Sequence, residues 1–294
     1  METDRKPTVS EAFTGLYGYN SMYEPMSVNL RERVALVTGA SGVIGSAVAS
    51  ALARNGARVV VWDIDDKAGE EVISSIKSSG GFAEYRHVDL LSTSEQQMAF
   101  ENLLEQHGKL DILIANAGGN FGKRGPFLEY GEDSFGANIE LNLNMSAVYL
   151  SQLALPYLIQ TKGNIVFTSS VCGVVGLQNQ CGFVAAKYAV SALARSLALE
   201  YGEYGVRVNA LAPGSLPFPN EEINFLWAST SLEDYESNFY NPDTLVFNIP
   251  LRRPACPDDM TGIVLYLVSD DAAYTTGQVI SVDGGWTSGL SGIY

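Results

Sequence analysis

The sequence predicts a single doubly wound α/β domain, in which a mostly parallel sheet is covered by helices on both faces. Short and almost entirely apolar runs recur along the chain, and such runs are typical of strands buried on both faces of a parallel sheet. Helical patterns separate these runs, which is the alternation expected of consecutive βαβ units. The chain has 294 residues, enough for one domain with a large core.

The predicted strands and helices alternate from residue 34 onward. The first strand, "VALVT", is followed by a glycine-rich turn and by the small-residue helical pattern "AVASALARNG". Later helical patterns include "SEQQMAFENLLEQHG" and "SALARSLALEYGEYG". The seven runs interpreted as strands are "VALVT", "RVVVWD", a segment ending near "YRHVD", "LDILIANAG", "NIVFTSS", "VRVNALAPG" and "GQVISVDGG".

Two regions fall outside this alternation. Residues 1–30 contain Tyr, Met and Pro without clear periodicity, and we interpret them as an N-terminal arm. Residues 214–250 are long, acidic and aromatic, and a connection of this length inside a compact domain is usually a functional lid or an insertion. The predicted organisation is therefore an arm followed by one domain over 31–294, with a lid at 214–250.

The composition indicates a globular, acidic protein. A net charge of −15 argues against nucleic acid or an anionic membrane as the partner. No run of roughly 18 apolar residues occurs that would predict a membrane-spanning helix. The first residues lack the apolar core of a secretory signal, and the three cysteines match no zinc or disulfide pattern. We therefore expect a cytoplasmic protein with reduced thiols and no metal site.

The first chemical motif is "TGASGVIG" at 38–45, between the first strand and the first helix. A glycine-rich turn in this place lets a pyrophosphate approach the backbone N–H groups at the helix N-terminus. A tight turn that needs glycine only for packing is the alternative, but the position favours a dinucleotide site and a Rossmann-like domain. The residues assigned to this site are Gly39, Ser41, Gly42, Val43, Ile44 and Gly45.

Asp63 ends the second predicted strand, 24 residues after Gly39. An acidic residue there accepts hydrogen bonds from the ribose hydroxyls of NAD and repels the 2′-phosphate of NADP. No Arg or Lys occupies the glycine turn, and the first basic residue after Asp63 is Lys67. The sequence therefore predicts NAD as the cofactor, with NADP less favoured, although a solvated aspartate at a strand end would look the same.

These motifs together resemble the short-chain dehydrogenase/reductase family, from about residue 30 to residue 286. The resemblance implies that Asp89 and Leu90 lie at the adenine and that Asn116 steadies the central sheet. It also implies a homodimer or homotetramer that acts on a small molecule. The matching segments are the glycine turn, Asp89 in "HVDL", the "NAG" of Asn116, Ala117 and Gly118, Ser169 and Ser170, Lys187, the Pro213–Gly214 pair with Leu216 after it, and "DGG" at 283–285.

The resemblance also implies four catalytic positions. Ser170 would polarise the substrate oxygen, and Lys187 would bind the nicotinamide ribose and lower the pKa of a tyrosine that exchanges the proton. Asn144 best matches the asparagine that holds a water, with Asn142 as its competitor. The tyrosine position is occupied by Phe183, whose ring has no O–H and can neither donate nor accept a proton.

Two further positions depart from the family. Val43 stands where the phosphate turn commonly has its middle glycine, and Phe218 stands where a threonine commonly binds the carboxamide. These departures leave three hypotheses open. The first is an NAD(P)-dependent oxidoreductase that interconverts a secondary alcohol and a ketone with weakened proton transfer. The second is a non-redox enzyme such as a cyclase, isomerase or dehydratase on the same fold, and the third is a non-catalytic binding or scaffold protein.

The substrate pocket should lie above the carboxyl ends of the strands. Lys123 and Arg124 are candidates for an anionic substrate group, although a solvated turn explains them as well. The residues predicted to contact the substrate are Asn120, Phe121, Gln178, Phe218 and Trp227.

Overall fold

The computed structural model describes residues 25–216 and 249–289. Seven strands form one sheet in the order β3-β2-β1-β4-β5-β6-β7, and every neighbouring pair is parallel. The predicted doubly wound α/β domain is therefore confirmed. The strands are β1 (Val34–Thr38), β2 (Arg58–Asp63), β3 (Phe82–His87), β4 (Ile112–Ala115), β5 (Asn164–Thr168), β6 (Arg207–Pro213) and β7 (Val279–Val282).

Helices connect the strands and cover both faces of the sheet. One of them has an unusual middle section, because α4 continues through a π-helical stretch (Glu140–Tyr149) directly into α5. The α-helices of the described residues are α1 (Val43–Arg54), α2 (Asp66–Ser78), α3 (Thr93–His107), α4 (Glu132–Ile139), α5 (Leu150–Thr161), α6 (Cys181–Tyr201) and α7 (Asp258–Val268).

The strands are buried on both faces because their side chains alternate between two hydrophobic layers. Val34 and Leu36 of β1 point into a layer that also contains residues of α3, α5 and α6. Ala35 and Val37 point into the opposite layer, with residues of α1, α2 and α7. This two-sided burial explains why "VALVT" has no polar alternation.

Helix α6 is long and apolar enough, by length and composition, to cross a membrane. Its composition is explained by its place in the fold, where Ala186, Val190, Ala194 and Ala198 are buried. Lys187 on the same helix is buried as well. A helix that packs against a sheet on one side passes the same test as a membrane span.

The residues just before the predicted boundary at residue 31 already contact the domain. The N–H of Val28 donates to Asn55 Oδ1 at 2.7 Å, and the Leu30 side chain is fully buried. Residues 28–30 therefore pack against the end of α1 instead of belonging to a separate arm. Most of the predicted arm and lid, including Phe218 and Trp227, lies outside the described residues.

Candidate active site

A cleft opens at the carboxyl end of the sheet, where the strand order reverses between β1 and β4. Ligands of doubly wound folds bind at this reversal, because the loops after the two strands diverge there. The cleft is lined by Gly39, Gly42, Val43, Ile44, Gly45, Asn116, Gly118, Gly119, Asn120, Arg124, Thr168, Ser169, Ser170, Val171, Cys172, Leu177, Gln180, Phe183, Lys187, Pro213, Gly214, Ser215, Leu216 and Trp286.

The glycine turn forms one end of the cleft, and its shape depends on two glycines. Gly39 has a φ of +65°, and a Cβ on it would lie 2.7 Å from the Cα of Ala117. A Cβ on Gly45 would lie 2.2 Å from the carbonyl oxygen of Gly39, so α1 can approach the turn only with glycine there. Gly42 caps α1 without a side-chain hydrogen bond. The N-terminal N–H groups of α1 therefore face the cleft without a side-chain acceptor, which suits an anionic phosphate.

Asn116 joins three strands beneath the cleft. Its Nδ2 donates to the carbonyl oxygens of Thr38 at 3.0 Å and Gly39 at 3.1 Å. Its Oδ1 accepts a hydrogen bond from Thr168 Oγ1 at 3.0 Å. The side chain thus connects the carboxyl ends of β1, β4 and β5, the role that the family resemblance implies.

Asp63 is held rigidly at the end of β2. Its Oδ2 accepts from the N–H of Ser41 at 2.9 Å, and its Oδ1 accepts from the N–H groups of Ile64 at 2.8 Å and Asp65 at 3.2 Å. These bonds tie the carboxylate to the glycine turn. Asp89 lies just beyond the neighbouring strand β3, where its Oδ1 accepts from the N–H of Leu91.

The two serines after β5 have different tasks in the structure. Ser169 is buried, and its hydroxyl bonds the carbonyl oxygen of Lys187 at 3.0 Å and the Ser191 hydroxyl at 2.7 Å. Ser170 is half-buried, and its Oγ accepts from the N–H of Cys172 at 3.1 Å. Ser169 therefore fastens α6 to the loop, while Ser170 is the serine whose hydroxyl can turn to a ligand.

Lys187 and Phe183 lie one helical turn apart on α6, on the same face. Lys187 Nζ donates to the carbonyl oxygen of Thr168 at 2.8 Å and stands 5.6 Å from the centroid of the Phe183 ring. Burial lowers the pKa of Lys187 from 10.5 to about 8. The Phe183 ring thus offers the ammonium a cation–π contact. It carries no hydroxyl that could exchange a proton.

The cleft holds few groups that can exchange a proton. The described lining residues include no Asp, Glu, His or Tyr, so Lys187 and the Cys172 thiol are the groups that titrate most readily there. Burial raises the pKa of the Cys172 thiol, while Ser170, Lys187 and Arg124 act on it in the opposite direction. In the described parts of the chain, no three His, Cys, Asp or Glu side chains cluster to hold a metal ion.

The asparagine next to the cleft is Asn142 and not the predicted Asn144. Asn144 is exposed, and its Nδ2 donates to Glu140 on the outer surface of the helix. Asn142 is buried, and a Cβ on Gly118 would lie 2.5 Å from Asn142 Oδ1 and 3.3 Å from Lys187 Nζ. The structure therefore favours the competitor: residues two positions apart on a helix face nearly opposite sides, and position 142 is the one that faces the loop.

We expect Asn142→Ala to lower the free energy of unfolding by about 1–3 kcal/mol, since it leaves two partly buried backbone groups of Gly119 without their partner. Asn144→Ala should change it by less than about 0.5 kcal/mol, because that side chain is exposed. Urea denaturation of both variants beside the wild type measures the difference. Equal losses in the two variants would contradict the assignment.

A polar ladder fixes the loop that forms the other wall of the cleft. The ladder consists of three buried side chains spaced four apart along the helix, Ser134, Asn138 and Asn142. Each of them bonds the backbone of one loop residue, and the three loop residues are two apart. Asn142 bonds both backbone groups of Gly119, Asn138 bonds both of Phe121, and Ser134 Oγ accepts from the N–H of Lys123. The loop at 119–123 is thereby held in one register against the helix.

The ladder decides which predicted substrate contacts reach the cleft. Asn120 lines the cleft, whereas Phe121 is not among the lining residues and hydrogen-bonds to the helix through its backbone. Gln178 is exposed and outside the lining, and the buried Gln180 takes its place. Arg124 lines the cleft while its neighbour Lys123 is exposed, so the solvated-turn interpretation applies only to Lys123.

Some lining residues were not singled out from the sequence. Cys172 is expected from the sequence only to carry a reduced thiol, although it follows Ser170 by two positions. Trp286 comes directly after the "DGG" segment, and Ser215 directly after Pro213–Gly214. These residues lie next to recognised motifs in the sequence, and this position is the signal that could have identified them.

Comparison with known proteins decides the family. A family model described as enoyl-(acyl carrier protein) reductase matches residues 39–287. This chain belongs to the short-chain dehydrogenase/reductase family. It is therefore an enzyme of the oxidoreductase type on a fold that binds NAD(P).

Several dehydrogenases match nearly the whole chain. Cyclohexanol dehydrogenase of Acinetobacter sp. (strain SE19) is 32% identical over 268 residues, covering 91% of this chain and 100% of the relative. A 3β-hydroxysteroid dehydrogenase of Mediterraneibacter gnavus is 30% identical, covering 87% and 95%. A solved structure described as an NAD(P)-dependent gluconate 5-dehydrogenase from Beutenbergia cavernae, with bound NADP at low occupancy, is 33% identical. Its TM-score is 0.77, and the match covers 89% of this chain and 99% of that chain.

Proposed function

We propose that this short-chain dehydrogenase/reductase interconverts a secondary alcohol and a ketone, with NAD(H) as its preferred cofactor and a slow proton-transfer step. The observation that carries the proposal is the convergence of Ser170, Lys187 and the glycine turn on one cleft. The relatives support it, since their names include dehydrogenases of cyclohexanol and of a 3β-hydroxysteroid, both secondary alcohols.

The residues around the cleft fit a dinucleotide. The open N-terminus of α1 would receive the pyrophosphate, and the fixed carboxylate of Asp63 would receive the adenosine ribose. The segments around Asn116–Gly118 and Pro213–Leu216, with Lys187, would hold the nicotinamide half. When bound, the cofactor accepts or supplies the hydride.

The chain itself must then manage the proton and the charge on the substrate oxygen. Ser170 can donate a hydrogen bond to that oxygen. Most Lys187 side chains are protonated at neutral pH, since the pKa of this group is about 8. The ammonium can deliver its proton to the substrate oxygen through a water. Without a tyrosine hydroxyl between Lys187 and the substrate, we expect a rate about 10²–10⁴-fold below that of an enzyme with a positioned acid.

Turnover of a panel of secondary alcohols and ketones with NAD(H) and with NADP(H) tests the proposal. We expect slow but stereospecific reduction of at least one ketone, stoichiometric with NADH oxidation. Cofactor binding without any redox turnover, in the wild type and in Phe183→Tyr, would favour the non-redox alternative. The expected homodimer or homotetramer and the cytoplasmic location remain part of this proposal.

Asp63→Ala should narrow the preference for NAD(H) over NADP(H) by about tenfold or more, because it removes a carboxylate near the 2′-position. Fluorescence titration of the two reduced cofactors gives both dissociation constants. Glu70→Gln removes the same charge from an exposed position on α2 and should leave the preference unchanged. Equal binding of NADPH and NADH by the wild type would contradict the prediction.

A further inference from the structure

We infer that the substrate carries a second polar group, a hydroxyl a few bonds from its reacting carbon, and that Gln180 binds this hydroxyl with Asn120 as its positioning residue. The substrate class is then a hydroxyketone and the corresponding diol, an assignment that rests on the proposed function. Gln180 lines the cleft although only 6% of its surface is exposed. Buried polar side chains normally have their hydrogen bonds satisfied, so the partners of its two amide atoms indicate what Gln180 binds.

Only the oxygen of the Gln180 amide has a partner. Its Oε1 accepts a hydrogen bond from Asn120 Nδ2 at 2.6 Å. Over residues 25–216 and 249–289, Nε2 of Gln180 makes no hydrogen bond, and this atom is not fully enclosed by protein, unlike Asn120 Oδ1. The two N–H groups of Gln180 are therefore open to the cleft, where an acceptor on a ligand can receive them.

The pair joins two segments of the cleft, and each of its residues starts from a fixed backbone. Asn120 lies between Gly119 and Phe121, whose backbone groups are held by the polar ladder. Gln180 directly precedes α6, and its carbonyl oxygen accepts from the N–H of Val184 at 2.9 Å. Because both amides are already held in place, little side-chain freedom is lost when a ligand binds.

The Asn120 amide is not arranged for stability. Its Oδ1 is buried and has no partner among the described residues. Such an acceptor destabilises the folded state, so an apolar residue would serve better if position 120 only had to pack. The asparagine is explained if its Nδ2 is needed to hold Gln180. Because Gln180 is held through its oxygen, it must present its nitrogen to the cleft.

The position of Gln180 along the helix sets where the second polar group lies. Gln180, Phe183 and Lys187 all line the cleft, since residues three, four and seven apart share one face of a helix. Three residues of helix advance about 4.5 Å, so the Gln180 amide is displaced from the Phe183 ring by roughly this length, in the direction away from Lys187. A few carbon–carbon bonds of a substrate span this displacement.

The chemistry of the amide selects a hydroxyl as its ligand. An apolar group beside Gln180 would leave the N–H groups unsatisfied, and a carboxylate would lose hydration without gaining a cation from this pair. A hydroxyl accepts from Nε2 and remains neutral. It also brings a donor to the neighbourhood of Asn120 Oδ1, which lacks one among the described residues, whereas a second carbonyl brings none.

Matched ligand pairs test this assignment, each a ketone with a primary hydroxyl and a ketone of nearly the same shape with a methyl group in its place. The ring pair is cyclohexanone with a hydroxymethyl or an ethyl group opposite its carbonyl, and the open-chain pair is a methyl ketone with a hydroxyethyl or a propyl chain. Dissociation constants are measured by ligand-observed NMR with saturating NAD+, from which no hydride can pass to a ketone. We expect the hydroxylated ligand of at least one pair to bind about tenfold more tightly, because the methyl group leaves the Gln180 N–H groups unsatisfied.

Gln180→Met has a side chain of similar length without N–H groups, and it should bring the hydroxyl-to-methyl ratio of affinities to one or below. Gln178→Met is the matched control, since Gln178 is exposed and outside the cleft lining, and it should keep the wild-type ratio. Asn120→Ala should weaken the hydroxylated ligand selectively, because the Gln180 amide is then no longer held through its oxygen. Equal weakening of both ligands of a pair would overturn the positioning role of Asn120.

Equal affinities within both pairs for the wild type, or a ratio that survives Gln180→Met, would overturn the assignment. The affinity of Gln180→Met for NAD+ distinguishes a substrate contact from a cofactor contact, and we expect it to equal that of the wild type. A loss of NAD+ affinity as large as the loss of hydroxyl preference would assign the Gln180 amide to the cofactor and overturn the substrate assignment.

Turnover of the same pairs in the Phe183→Tyr background separates the two proposals. Reduction of both ketones of each pair with equal kcat/KM would overturn the assignment and leave the oxidoreductase function standing. A Gln180-dependent preference in binding, without any NADH oxidation, would support the hydroxyl site and overturn the proposed function.

Discussion

Phe183→Tyr is expected to raise the rate of ketone reduction and alcohol oxidation by about 10²-fold or more. The change places a hydroxyl at the edge of a ring that already lines the cleft, one helical turn from Lys187. The buried ammonium, 5.6 Å from the ring centroid, would lower the pKa of that hydroxyl and prepare it for proton exchange. A positioned general acid or base contributes on the order of 10²–10⁴-fold in rate. Steady-state NADH oxidation with the best ketone of the panel measures the gain.

Two comparisons make this result specific. Phe183→Leu also lacks a hydroxyl and should stay near the wild-type rate, so that repacking alone is not mistaken for proton transfer. The rate gained by Phe183→Tyr should follow a single ionisation in the pH profile of the oxidation. If Phe183→Tyr binds NADH normally and turns over no faster than the wild type, the cleft has been adapted to another reaction.

Lys187→Met is expected to reduce the residual ketone reduction by about 10²-fold or more. With a folded-state pKa of about 8, Lys187 is charged below this pH and neutral above it. A proton delivered from Lys187 through water therefore predicts that reduction declines as the pH rises through about 8, and that alcohol oxidation increases over the same interval. Both steps should disappear in Lys187→Met, and Lys77→Met, which removes an exposed lysine of α2, should retain them.

The same ionisation has a consequence for stability. The unfolded chain keeps a lysine proton up to about pH 10.5, whereas the folded chain releases it near pH 8. Between these values the unfolded state binds more protons, so the free energy of unfolding should rise with pH by up to roughly 3 kcal/mol. Lys187→Met should lack this rise, which denaturation at pH 7.5 and pH 9.5 would show.

If Lys187→Met keeps both the reduction rate and its pH dependence, the proton comes from elsewhere in the cleft, and the Cys172 thiol is the next group to replace.

The sheet was predictable because its strands are buried on both faces. A run such as "VALVT" leaves little alternative to a central parallel strand, and the glycine turn after it fixes where the first helix begins. Ser170 and Lys187 came from the resemblance to the family, and both line the cleft. The hydrogen bonds that join Val28 and Leu30 to Asn55 could not be predicted, because they connect distant parts of the chain that local periodicity does not relate.

The errors in the site have a common physical origin. Asn144 and Asn142 differ by only two positions, which face nearly opposite sides of a helix, so the packing of the helix decides which of the two turns inward. Gln178 and Gln180 likewise lie in a loop after β5 whose path is set by long-range contacts, such as the bond between Asn179 and Gly125. Sequence reasoning located the segments that approach the cleft, but it could not determine which side chain of each segment turns inward.

The polar ladder fixes the length of the loop at 119–123 but leaves the identity of its cleft-lining side chains unconstrained. Four residues of helix advance about 6 Å, and each such step, from Ser134 to Asn138 to Asn142, is matched by two residues of the loop. One inserted residue would break this match, whereas replacing Asn120 or Arg124 leaves every ladder bond in place, because those bonds use backbone groups of other residues. Point substitutions at Asn120 or Arg124 can therefore change the cleft lining without disturbing the ladder, whereas an insertion or deletion in the loop would cost ladder bonds.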